Sequence, residues 1–195
     1  MVVATEEMVF ALSNRLNGGI APMCGIVGLF LKDKSLEPQL GRLLTDMEIT
    51  MTDRGPDSAG IAVYGDEAAG KVKYTVQSAS PEADFADLAE DLSKALASPV
   101  AVTVNSTHAV LEVASSAAEG VRNALAEIRP DVRLMSRGET LEIYKEVGLP
   151  KDVAAQFDVS NMTGTHGIGP TRMAPESAVP TMGAHPFITG DEQCL

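Results

Sequence analysis

Met23-Cys24-Gly25-Ile26-Val27-Gly28-Leu29-Phe30 is the stretch on which the reading of the fold turns. From Cys24 to Leu31 the residues are small, apolar or β-branched, a composition that predicts a strand with the cysteine at its first position. If translation starts at Met23 and that methionine is removed, as initiator methionines before small residues readily are, Cys24 carries a thiol and a free α-amine. One residue then supplies both an attacking sulfur and a base for its proton. An α-amine titrates near ~8 and a thiol near ~8.5, so a small environmental shift lets one serve the other around neutral pH. The plainer reading of a lone cysteine in an apolar strand is a buried small hydrophobe. The motifs further along the chain decide between the two.

Composition narrows the choice. The chain has 195 residues, 45% hydrophobic and 22% charged, enough for a globular domain with a real core. Aromatics are 4% and tryptophan is absent, so the core is aliphatic. A net charge of −12 without a Lys/Arg cluster argues against nucleic acid, whose phosphates would be repelled. Cys24 and Cys194 with three histidines make neither a disulfide framework nor a zinc site, and no metal is expected. A reducing, cytoplasmic setting is the default expectation. No apolar run approaches the roughly 20 residues of a membrane span, so no membrane is expected. Residues 1–22 do not read as a signal peptide, because Glu6, Glu7, Arg15 and Asn17 interrupt it. They read as an extension, from a mis-assigned start or as a propeptide, in front of a domain at 23–195.

Beyond the first strand, Ser35 is expected to cap a helix running to about Met51, with Leu40, Leu43, Leu44, Met47 and Met51 on one face. Thr52–Gly60 is a loop dense in Gly, Pro and charge. Strands are expected at 61–64, 71–76, 100–104, 108–113 and 131–135. Helices are expected from Ser80-Pro81 through Leu96, at 117–128, at 140–147 and at 150–157. The segment 163–174 is Gly-rich and then strand-like. Pro170 there argues for an edge or a bulge. This mixture is α+β.

Three pieces stand in order: Met-Cys-Gly-Ile-Val-Gly at 23–28, Arg-Gly-Pro-Asp-Ser-Ala-Gly at 54–60, and Ile-Gly-Pro-Thr-Arg-Met-Ala at 168–174 followed by Gly-Ala-His-Pro at 183–186. Together they resemble the class II glutamine amidotransferase domain, an N-terminal-nucleophile hydrolase, over 23–64 and about 163–195. The resemblance implies a four-layer α-β-β-α sandwich, here incomplete, with an inserted α/β lobe at about 81–162. It implies that Cys24 attacks the side-chain amide of glutamine, with its own α-amine as base, releasing ammonia and leaving a thioester that water cleaves. Arg172 matches the arginine that grips the substrate's α-carboxylate, a task its planar fork suits. Arg54 and Gly55 match the loop that walls the nucleophile, and Thr171 and His185 match positions beside the pocket. Asp57 and Ser58 look structural, as short polar side chains in turns usually are. Within the family, the residues around Glu176-Ser177 and Ala184-His185-Pro186-Phe187 look most like the amidotransferase subunit of glutamate synthase relatives such as N-methylglutamate synthase. That branch implies a separate flavin-containing synthase subunit as partner and no cofactor in this chain.

Departures from the pattern set further expectations. The Asn-Gly pair that forms the family's oxyanion hole does not follow His185-Pro186, and the expectation is a truncated domain with little hydrolysis of its own. Pro175 stands where a hydroxyl residue is usual, which should weaken glutamine binding. A rival reading is therefore an inactive binding or regulatory module that docks on its partner. A papain-type cysteine enzyme would need a paired histidine, and His108, His166 and His185 show no spacing that singles one out.

Overall fold

The computed structural model describes residues 24–67, 69–173 and 181–195. The leading segment through Met23 and the stretch 174–180, with Pro175, lie outside them, and so do the expectations placed on those residues. In chain order the strands and helices are β1 (Gly25–Phe30), α1 (Leu40–Ile49), β2 (Ser58–Tyr64), β3 (Lys71–Gln77), α2 (Pro81–Asp84), α3 (Leu88–Leu96), β4 (Val100–Asn105), β5 (His108–Ala114), α4 (Val121–Ile128), β6 (Arg133–Gly138), β7 (Leu141–Val147), α5 (Pro150–Gln156), β8 (His166–Arg172), β9 (Ile188–Gly190) and β10 (Gln193–Cys194). The architecture is α+β with antiparallel sheets. Among the described residues no helix is long and apolar enough to cross a membrane.

The chain divides into two compact units. One comprises the chain up to Gly65 together with Lys145–Phe187, and the other Asp66–Tyr144 together with Ile188–Leu195.

The first unit is organised on the sheet β1-β8-β2-β7. Asp33, rather than Ser35, opens the segment after β1, its carboxylate accepting from Ser35 N at 2.9 Å and Ser35 Oγ at 2.8 Å. Pro38 lacks a backbone donor, so residues Lys34–Gln39 form a 3-10 turn and the α-helix waits until Leu40. α1 then lays Leu40, Leu44 and Glu48, all fully buried at i, i+4 and i+8, toward β8. The helix comes close because small residues face it: a Cβ on Gly169 would sit 3.2 Å from the Glu48 carboxyl carbon, and one on Gly167 3.0 Å from Leu44.

Two expectations are corrected in this sheet. The segment expected as a helix at 140–147 is the strand β7, Leu141–Val147. Leu141, Ile143 and Lys145 alternate as buried positions, and Ile143, Tyr144 and Val147 favour a pleated surface. Pro170 sits in an interior strand, not at an edge. β8 pairs with β1 through Pro170↔Ile26, while its ladder to β2 lapses between the pairs Ala59↔Thr171 and Ala62↔Ile168. The missing donor falls in that gap, where Gly60 faces Pro170, so one ladder absorbs it without a shift of register.

The second unit carries the sheet β4-β5-β3-β6. Tyr74, Val76, Leu111 and Val113 project from its strands into a core closed by Leu88, Leu92, Val121 and Leu125 of α3 and α4. The helix expected to run unbroken from Pro81 stops after Asp84 and restarts at Leu88, with Asp87 between them in the left-handed region at φ 54°. The unit's closing turn is held by Glu192. Its carboxylate accepts from Thr140 N at 2.7 Å, Thr140 Oγ1 at 2.8 Å and Leu141 N at 3.1 Å.

Candidate active site

The motifs read from sequence meet at one end of the first unit's sheet. β1 and β8 run antiparallel, so the start of one lies beside the finish of the other. Gly25 pairs with Thr171, and Cys24 stands exposed one residue before β1. The reading of Cys24 as a buried small hydrophobe does not hold. On the other side of β8, Ser58 pairs with Arg172, Pro56 bridges to Arg172, and Asp57 N donates to Arg172 O at 3.1 Å. The turn at 54–57 and the start of β2 are thereby laid against the end of β8.

Gly55 is a position where only glycine fits. A Cβ there would lie 2.5 Å from Arg172 N and 2.7 Å from Thr171 Oγ1, and one on Gly25 would lie 2.9 Å from the same hydroxyl. The Thr171 side chain thus fills the space left by the two glycines. It is 1% exposed, and its oxygen has no hydrogen-bond partner among the described residues; the same is true of Ser58 Oγ. Unpaired buried hydroxyls are uncommon enough to need a reason. Here Thr171 lies on β8 at its finishing end and Ser58 on β2 pairs with the next residue, Arg172.

Arg54 closes the short 3-10 turn Thr52–Arg54, with its backbone N donating to Met51 O at 2.9 Å, and its side chain is half-buried. The guanidinium of Arg172 donates through Nη1 to the carbonyl of Gly183. His185 lies in the turn that follows. Its carbonyl occupies the place a Cβ on Gly60 would need, at 1.9 Å, and its ring meets Phe187 edge-on at 4.5 Å between centroids. The structure therefore gathers Gly25, Gly55, Thr171 and Arg172 directly, and draws His185 to β2 through its backbone.

Two residues of this unit escaped the sequence reading. Lys145 on β7 is 2% exposed, and its ammonium donates to Ala184 O at 2.9 Å and Pro186 O at 3.2 Å. Burial lowers its pKa to about 8. Glu48 is fully buried, with neither carboxylate oxygen partnered among the described residues, and burial holds its pKa well above the ordinary carboxyl range. Its signal was present in the sequence: Glu48 continues the i, i+4 stripe of Leu40 and Leu44. Lys145 could have been found only by reading 141–147 with period two. Among the described residues no three His, Cys, Asp or Glu side chains converge as a metal site requires.

No family model matches the chain. It is 66% identical over 173 residues to the glutamine amidotransferase-like protein GlxB of Rhizobium meliloti (strain 1021), covering 89% of this chain and 57% of that protein. It is 30% identical over 178 residues to a protein of Methanothermobacter thermautotrophicus named "Putative glutamine amidotransferase", covering 85% of this chain and 56% of that protein. The chain spans somewhat more than half the length of these curated relatives.

Proposed function

We propose that this chain carries the glutamine-hydrolysing site of a class II glutamine amidotransferase of the N-terminal-nucleophile type, with Cys24 as nucleophile. The observation that carries the reading is the strand register at the end of β8. It puts Thr171-Arg172 beside Gly25 on one side and beside the Arg54–Ser58 loop on the other. The similarity to relatives bearing the amidotransferase name supports the same substrate, glutamine.

The chemistry starts once Cys24 is the first residue. Its α-amine takes the thiol proton, and sulfur adds to the side-chain carbonyl carbon of glutamine. The tetrahedral oxyanion collapses with cleavage of the carbon–nitrogen bond, the α-ammonium returns the proton, and ammonia leaves. A thioester remains. Water, deprotonated by the same amine, adds to it, and glutamate departs as the thiol is restored. Arg172 binds the α-carboxylate of glutamine, the Arg54-Gly55 loop walls the thiol, and Thr171 and His185 border the pocket. The protein fold is the layered sandwich of that enzyme class. A separate synthase subunit receives the ammonia.

The test is ammonia release from glutamine by protein whose amino terminus is Cys24, set against Cys24→Ala and against protein retaining residues 1–23. Loss on the order of 10³-fold or more is expected in both comparisons, because the nucleophile is absent in one and its base in the other. Measurable turnover that Cys24→Ala keeps in full would sink the assignment.

A further inference from the structure

Lys145 is in an unusual setting for a lysine. It lies on β7 at an inward-facing position, 2% exposed. Its ammonium donates to the carbonyls of Ala184 and Pro186, at 2.9 and 3.2 Å, and stands 4.5 Å from the centroid of the Phe187 ring. Among the described residues it makes no ion pair, and burial alone accounts for its lowered pKa. A buried lysine without a carboxylate is costly to keep. Here two backbone dipoles and one aromatic face are what receive the charge.

All three partners belong to one turn, and the site uses that turn. The residue before it, Gly183, gives its carbonyl to the Arg172 guanidinium. Within it, the His185 carbonyl lies flush on Gly60, closer than any side chain there would allow. The segment 183–187 is thus held by Arg172 at its start and by Lys145 through its body. Thr181 Oγ1, just upstream, donates to Glu146 at 2.6 Å, the neighbour of Lys145 on β7.

We infer that Lys145 is a positioning residue: its buried ammonium pins the Ala184–Phe187 turn, and through Gly183 the turn sets the guanidinium of Arg172 for the substrate carboxylate. The pin stands on the geometry alone. The consequence for glutamine rests on the proposed function above.

The test compares wild type, Lys145→Met and Lys145→Arg by amide hydrogen exchange and by glutamine kinetics. Methionine keeps the length of the stem and removes every donor. Exchange at Ala184, His185 and Phe187 should quicken about tenfold or more in Lys145→Met, while the amides of Gly167–Gly169 hold within about twofold. KM for glutamine should rise about tenfold with kcat within about threefold, because binding and not the chemical step is disturbed. Lys145→Arg, which keeps charge and donors, should recover most of both. Unchanged exchange at 184–187 in Lys145→Met overturns the pin, and an unchanged KM overturns its role in binding. Should Lys145→Met not fold, Phe187→Leu removes the ring from a partly exposed position and should quicken the same amides about threefold; no change there overturns the pin equally. Wild-type protein that releases no ammonia would remove the glutamine reading, and the exchange data would then decide the pin by themselves.

Discussion

Arg172 does two jobs at once in this arrangement. Its backbone closes the β2–β8 ladder against Ser58 and Asp57, and its guanidinium holds Gly183. Arg172→Lys keeps the charge and loses the fork, so KM for glutamine should rise roughly 10–100-fold, the equivalent of one charge-assisted hydrogen bond. Steady-state kinetics reads this directly, and a KM within twofold of wild type would remove Arg172 from the binding role. Glu48 presents the opposite case, a charge the fold does not want. Its folded-state pKa is raised, so between the ordinary carboxyl value of about 4.5 and that higher value the folded chain holds a proton the unfolded chain has lost. Stability should therefore fall as pH rises from about 4.5 toward neutrality. Glu48→Gln should flatten that slope, and Glu48→Met should add about 1–3 kcal/mol at pH 8 by removing the buried ionisable group. Urea unfolding at pH 5 and pH 8 checks both; a wild-type curve independent of pH over this range would contradict the assignment.

At the scale of elements, the sheet's ends carry the site and its interior tolerates an irregularity. β8 keeps one register with β2 on both sides of Pro170, which is why a proline in an interior strand does not rotate Thr171-Arg172 to the wrong face. The neighbouring strand β2 requires glycine at position 60. Gly60→Ala places a Cβ on the His185 carbonyl, and since backbone cannot yield as a side-chain tip does, the turn must lift. A loss of roughly 1–3 kcal/mol is expected, together with quickened exchange at 184–187. β7 contributes a pH effect of its own. Lys145 holds its proton less tightly folded than unfolded, so stability should rise between about pH 8 and 10.5 as the unfolded chain alone remains protonated. Lys145→Met should lack that rise in denaturation measured from pH 7.5 to 10.

On the scale of the molecule, the chain leaves the first unit after Gly65, returns at Lys145 and leaves it again after Phe187. The second unit is closed by its own distant segment, since Glu192 gathers three donors from Thr140 and Leu141. Glu192→Ala strands those donors, and a loss of about 1–3 kcal/mol is expected in the unfolding of this unit, followed by exchange at β6 and at Thr140 and Leu141. Unaltered exchange there would show the closing turn to be ornamental. What the sequence determined by itself is local: a strand after Cys24, the turn-rich residues from Thr52 up to β2, the α+β mixture and the helical stripe of α1 are all written in composition and period. The helix wrongly expected at 140–147 and the edge or bulge wrongly expected at Pro170 failed for one reason. Strand character and strand position depend on neighbours far away in the chain, which no window of sequence contains. Tertiary structure alone decided that Gly25 and Gly55 close on Thr171, that the Arg172 guanidinium reaches Gly183, and that the Lys145 ammonium meets the carbonyls of Ala184 and Pro186. Each follows from register and burial between segments remote in sequence, and a side chain's charge state and partners are properties of those surroundings, not of the residue.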